Sequence, residues 1–448
     1  MKRFRLFTLF FAFLFFTTLS FASEVEILVK KLVQKGILTE EEAKEMLSET
    51  KAEESKQKEA QKETVKEEVK TEMAKTQEVL KNTILPTWVK NTTFSGDVRL
   101  RYAYDRMKDD IAGEDTNFAD RQRLRFRLRY GFETVVNDKV KVGLRFATGT
   151  GDQTSTNQTM QDTFSAKNIW LDQAFIEIKP IPELRLIGGK IENPFYTTDL
   201  VWDPDVKPEG IVVQAKKSFG EKELNIEPFM TFGFFPIDES STDSNDQSLY
   251  GLQGGASAAL FGTKLKFAAG YYDFHNIKGA AIEDVSPANI RKSNTFIEGD
   301  DDKNLFAYDY RLFTLGGEFT PIEFDAFGTI IPVTLYGDFV KNLVSDVDFD
   351  TGYLGGIKIG AIKNAGDFQV AYDYRKLEKD AVYAPIADSD FHAGGTNAKG
   401  SKFSATYAVL KNTTLGIVYF DTKAVTKAAA NQSDLRVKTL FLETVVKF

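Results

Sequence analysis

Cysteine is absent from all 448 residues, and histidine occurs only twice. Without cysteine there is no disulfide, thiolate metal centre or cysteine nucleophile. His275 and His392 both fall in expected loops and are too few for a histidine-based zinc site or triad. No phosphate-binding glycine pattern occurs in a strand–helix setting. Pairs such as Gly254-Gly255 and Gly355-Gly356 read instead as strand bends and points of close packing. Long apolar runs are missing too, apart from Leu6 to Leu19. The mean hydropathy of -0.28 does not suit a helical membrane protein. A net charge of -8 argues against a nucleic-acid partner.

The one apolar run follows Lys2, Arg3 and Arg5 and precedes Ser20-Phe21-Ala22. A basic stretch, an apolar stretch and a small-x-small triplet together make an export signal over residues 1–22. The competing reading is an uncleaved anchor helix. Losing those three basic residues would take the net charge from -8 to -11.

Residues 23–90 have helical character. Leu28, Leu32 and Val33 recur at helical spacing, and Gly36 breaks that short helix. Thr39-Glu40-Glu41-Glu42 is a capping box for a second helix, Glu40 to Ser48. Val65, Val69, Met73, Thr76 and Leu80 then make a thin apolar stripe. Such a stripe fits either a coiled coil or a solvated linker. Pro86 ends this prefix.

From Thr93 the period becomes two. Phe94, Gly96, Val98, Leu100, Tyr102 and Tyr104 alternate with Ser95, Asp97, Arg99 and Arg101. Leu124, Phe126, Leu128, Tyr130 and Phe132 alternate with Arg123, Arg125, Arg127, Arg129 and Glu133. Val140, Val142, Leu144 and Phe146 alternate with Lys139, Lys141 and Arg145. These are strands with one apolar and one polar face. Soluble sandwich strands usually run about five or six residues, whereas a membrane-crossing strand needs about 9–11. Aromatics at Tyr102/Tyr104, Trp170 and Tyr372/Tyr374 sit where an interfacial girdle would lie.

Seven short connections alternate with eight long ones along the chain, which makes sixteen strands. Segments 248–260 and 308–320 alternate poorly, so two strands are in doubt. The expected fold class is an all-β transmembrane antiparallel barrel over residues 91–448, with an N-terminal α-helical or coiled-coil prefix. Even strand number, short periplasmic turns and long outer loops are outer-membrane features, with both termini periplasmic. At this size the lumen holds water. Leu440, Leu442, Thr444, Val446 and Phe448 share the lipid face of the last strand, and Arg436, Lys438 and Glu443 are assigned to the other. The terminal Phe448 resembles the signal by which the barrel-assembly machinery recognises such chains.

The layout resembles the bacterial "Putative porin" family and, more loosely, the phosphate-selective porins. Leu171 to Ile176, Gly189 to Phe195, Lys35 to Ala43 and Phe448 carry that resemblance. It implies a bacterial outer-membrane protein for passive passage of small hydrophilic solutes or ions, as a homotrimer among outer-membrane lipid and lipopolysaccharide. No cofactor is implied.

The expected pore lining is basic: Arg99, Arg101, Arg123, Arg125, Arg127, Arg129, Lys139, Lys141 and Arg145, with Asp97 and Glu133 as acidic members. Such a wall would attract anions, or be neutralised by lumen acids or an inward acidic loop. Asp97, Glu133, Glu177, Asp309, Asp338 and Asp373 read as partners or pore lining, not as a catalytic pair. Glu298 to Asp302 and Asp346 to Asp350 could attract Ca²⁺ but fit solvated loops better, so no metal site is assigned. Connections 191–209 and 275–306 are candidates to fold inward. A structural tether, with the prefix reaching peptidoglycan, is the alternative function; a barrel enzyme is a third.

Overall fold

The computed structural model describes residues 21–49, 63, 67, 69–72, 86–111, 114–117, 120–221, 223–239, 241, 245–281, 294–299, 304–326, 329–426 and 435–448. The chain divides into two units, Met1–Lys90 and Asn91–Phe448.

In the first unit, helix α1 spans Phe21–Gln34. Gly36, at φ 64°, closes it. The Gly36 N–H reaches the Val33 carbonyl and the Ile37 N–H reaches the Leu32 carbonyl, both at 3.0 Å, a Schellman closure that needs the left-handed residue glycine supplies. A second helix covers 40–49. Its capping box forms: the Thr39 N–H donates to Glu42 Oε2 at 3.0 Å and the Glu42 N–H donates to Thr39 Oγ1 at 3.4 Å. Those bonds hold the Glu42 carboxyl below its ordinary range. Thr87–Lys90 adds one helical turn after Pro86. The export signal up to residue 20, and most of the apolar stripe, lie outside the described residues.

Sixteen long strands build the second unit: β1 Thr92–Ile111, β2 Arg121–Asn137, β3 Val140–Thr148, β4 Ile169–Ile181, β5 Leu184–Lys190, β6 Glu209–Lys216, β7 Leu224–Asp238, β8 Gln247–Leu260, β9 Thr263–His275, β10 Tyr310–Ala326, β11 Thr329–Asn342, β12 Thr351–Gly360, β13 Phe368–Leu377, β14 Ala398–Leu410, β15 Thr413–Ala424 and β16 Arg436–Lys447. Each pairs antiparallel with its sequence neighbour. β16 returns to β1, from Asp97↔Lys447 to Lys108↔Arg436, so the barrel is closed. Closure leaves no unpaired sheet edge, which a lipid setting requires. The two poorly alternating segments are full strands, β8 and β10.

The faces follow the period of two. On β1, Asp97, Arg101, Ala103 and Asp105 are buried inside, while Phe94, Val98 and Leu100 are exposed outside. Arg436 and Lys438 differ from expectation. Both share the outward parity of Leu440, because side chains alternate strictly along a strand; Lys438 pairs there with Asp421 at 3.2 Å.

The interior contains an apolar core. Connection 191–208 supplies Leu200, Val201 and Trp202, and connection 378–397 supplies Ala381, Val382 and Tyr383. They pack on Tyr272 and Phe274 of β9, Tyr310 and Leu312 of β10 and Val340 of β11. Phe195 meets Tyr272 edge-on at 4.9 Å between ring centres, and Tyr383 lies 5.2 Å from Phe274. Ile277 and Phe306, from 276–309, join the same core. Both candidate connections therefore contribute described residues to this interior core. Connection 378–397 does too, and was not foreseen.

Candidate functional site: an arginine wall facing loop carboxylates

The register of β1 against β2 sets Arg99 opposite Arg127 and Arg101 opposite Arg125. Like charges directly opposite are destabilising, so each guanidinium needs a counter-group. Asp97 bridges two of them: Arg127 Nη2 donates to Oδ1 and Arg129 Nε to Oδ2, both at 2.7 Å. Arg123 pairs with Asp105. Arg101 pairs with Glu443 of β16 and, at 3.0 Å, with Asp390 of connection 378–397. Arg99 donates to Asn157 Oδ1 at 2.6 Å and stands 3.6 Å from Glu443. Arg145 pairs with Asp172 and Lys141 with Glu133 at 3.0 Å. Arg125 makes no ion pair with a described residue; its contact is Ser155 Oγ at 3.5 Å. Lys139 is exposed in the β2–β3 turn. The structure thus brings the expected basic residues together on β1–β3, except Lys139, and largely neutralises them.

The other strand acids divide by task. Glu177 pairs with Arg185 at 2.5 Å. Asp338 accepts the Thr198 N–H at 3.0 Å, and Asp309 accepts the Ile277 and Lys278 N–H groups at 3.0 and 2.9 Å. Asp338 thus ties connection 191–208 to β11, and Asp309, just before β10, closes connection 276–309 on itself. Asp373 accepts the Tyr336 hydroxyl at 3.1 Å.

A chamber of about 230 Å³ separates the wall from three connections. Arg99, Arg127 and Arg129 line one side. Asp203 and Asp205, then Asp388 and Asp390, line the other, with Thr154 and Asn157 between. The loops interlock there. The Asp203 N–H donates to the Ile386 carbonyl at 2.8 Å, Ser389 Oγ donates to the Thr154 carbonyl at 2.8 Å, and Gln153 Nε2 donates to the Pro385 carbonyl at 2.9 Å. Behind Asp388, the fully buried Arg375 donates from Nη1 at 2.8 Å.

Burial, then the nearby Asp388 and Asp205 carboxylates, push the Asp203 carboxyl up to about 8, against two backbone N–H bonds. Burial would raise Asp205 as well, but Arg127, the Thr156 N–H, Arg99 and Arg129 outweigh it and hold that group below its ordinary range. Sequence reasoning missed this acidic side. Its visible trace was Asp203-Pro204-Asp205 and Asp388-Ser389-Asp390, acids at alternate positions inside long connections.

Asp350 is taken up by Lys341 at 2.8 Å and Thr351 at 2.6 Å. Among the described residues no three His, Cys, Asp or Glu side chains gather around a metal position; Asp300 to Asp302 lie outside those residues. His392 is buried, with Nδ1 2.9 Å from Thr422 Oγ1, and His275 closes β9.

A closed sixteen-stranded barrel with an apolar exterior and a charged interior defines an outer-membrane channel barrel. The model of the "Putative porin" family matches residues 58–119 and 113–448, and the chain belongs to that family. Its fold is similar to OprB of Pseudomonas putida, at 10% identity and TM-score 0.50, over 80% of this chain and 95% of that one. DcaP of Acinetobacter baumannii, an outer membrane channel, aligns at 13% identity and TM-score 0.43, over 80% and 97%. No curated protein sequence matches.

Proposed function

We propose that this protein is a porin for passive diffusion of small hydrophilic solutes or ions, anion-leaning and without catalytic activity. The arginine wall carries the reading. It places Arg99, Arg101, Arg123, Arg125, Arg127 and Arg129 on one sector of the lumen, and Arg125 keeps a charge without an ion-pair partner among the described residues. A positive wall in a low-dielectric surround raises local anion concentration. Arg145, Lys141 and Glu133 continue the lining on β2 and β3.

Both termini face the periplasm in this reading, since Thr92 and Phe448 lie at the barrel end that carries the short turns. The barrel works as a homotrimer in outer-membrane lipid, with Phe448 as its assembly signal. Purified protein in planar bilayers should give stepwise, ohmic conductance with reversal potentials displaced toward the anion potential. Insertion without conductance overturns the channel; a cation-side potential overturns the anion preference.

A further inference from the structure

Most of the charges around the 230 Å³ chamber are held by groups outside its lining. Asp97 grips Arg127 and Arg129 from the strand side. Arg99 is held by Asn157, and its Nε is buried without a hydrogen-bond partner. On the opposite side Arg375 grips Asp388, and Thr156 donates to Asp205 at 3.1 Å. Asp203 receives only backbone N–H groups, from Ser389 at 2.8 Å and Asp205 at 2.7 Å, and no cation of the described chain reaches it. Besides the Arg99–Asn157 hydrogen bond, a single ion-pair contact between described lining residues crosses from wall to loop: Arg129 to Asp205, at 3.9 Å, beyond hydrogen-bond distance.

A chamber so built discriminates by charge pattern. A simple anion gains the guanidinium side but meets the ionised Asp205 carboxylate. A simple cation meets the reverse. In a partly dehydrated site each mismatch is costly, because like charges are poorly screened there. A solute carrying both charges satisfies both sides at once. The volume lies below the roughly 300–1,000 Å³ typical of drug-sized sites, so the occupant is a small metabolite.

We propose that the chamber is a selectivity site for small zwitterions of the α-amino acid type, with the carboxylate toward Arg99, Arg127 and Arg129 and the ammonium toward Asp203, Asp205 and Asp388. The inference rests on the channel reading. The raised proton affinity of Asp203 fits it: an arriving ammonium takes the place of the proton that this buried carboxyl otherwise holds.

The test uses the full protein in liposomes and the influx of radiolabelled L-alanine, L-lactate and tetramethylammonium, each relative to glycerol. L-alanine should enter about tenfold faster than either singly charged probe, the factor that about 1.4 kcal/mol of added contact supplies. The double variant Asp203→Asn/Asp205→Asn should bring the alanine-to-lactate ratio close to one. Because the first comparison uses the unaltered chain, it stands even if the variant folds poorly. Glycerol entry with alanine no faster than lactate or tetramethylammonium overturns the zwitterion site and leaves the channel. No entry of any probe, glycerol included, overturns the channel as well.

Discussion

Asp203 accepts the backbone N–H of Ser389 at 2.8 Å, and that bond fixes connection 191–208 to connection 378–397 inside the barrel. Its carboxyl, pushed up to about 8 by burial and then by Asp388 and Asp205, holds its proton more tightly than an unfolded Asp would. The linkage sign follows: the stability this group contributes is complete below its ordinary value of 3.8 and is lost as pH rises through about 8. The groups around it are Asp205, Asp388 and Asp390 with Arg99, Arg127 and Arg129. Taking a bilayer from about pH 6 to about pH 9 should therefore add one negative charge to the chamber and move the reversal potential toward cations. Asp203→Asn should remove that step, and a step of unchanged size in the variant would assign the titration elsewhere.

The arginine wall predicts a graded result. Arg123 is neutralised by Asp105, whereas Arg125 has only a 3.5 Å contact to Ser155. Replacing Arg123, Arg125 and Arg127 together with Ser should shift the reversal potential toward cations, because Asp105 and Asp97 lose partners as well. Arg125→Ser alone should give a measurable cation shift with little loss of stability. Arg123→Ser should cost more stability, since truncating one partner leaves the buried Asp105 uncompensated. Equal unfolding midpoints for the two single variants would contradict this difference.

The barrel was legible because strand period, strand length and the order of short and long connections are all local properties. Arg99 and Arg127 reached the same wall by parity alone. The acidic side was not legible in the same way. Asp203 and Asp388 lie far apart in sequence and meet only because Leu200, Val201 and Trp202 find the same apolar wall as Ala381, Val382 and Tyr383. An apolar stretch such as Ala381-Val382-Tyr383 in an otherwise polar connection was the available clue that it turns inward. The sequence likewise does not show that Asp309 and Asp338 hold loop backbone, because an acid that accepts N–H groups looks like any other inward acid.

That interior core sets the third expectation. Trp202 is 3% exposed and touches Phe195 and Tyr272. Trp202→Ala should weaken packing of connection 191–208 by about 3–5 kcal/mol, the range for removing a large aromatic from a core. The barrel itself should persist, because its ladder does not pass through this residue. Single-channel conductance should rise and become noisier, and protease should cut within 191–208. An unchanged conductance would mean that this segment does not narrow the passage.

Phe448 closes the barrel by two separable means. Its N–H donates to the Gly96 carbonyl at 3.0 Å and its carbonyl accepts the Gly96 N–H at 2.9 Å. Its ring stacks on Tyr130 at 6.3 Å. Gly96 leaves room for this approach, since a Cβ there would stand 2.5 Å from the Arg129 carbonyl oxygen and 2.7 Å from the Phe448 ring. Deleting Phe448 removes both means; Phe448→Ala keeps the backbone pair and loses only the ring. Each backbone bond contributes roughly 0.5–1.5 kcal/mol, so deletion should lower the unfolding midpoint more than Phe448→Ala does. Assembly separates from stability here. If the aromatic side chain is what the assembly machinery reads, both variants should reduce membrane-inserted protein in cells to a similar extent, while detergent refolding in vitro ranks Phe448→Ala above the deletion. Normal insertion of Phe448→Ala in cells would remove the ring from assembly and leave Phe448 with a closing role alone.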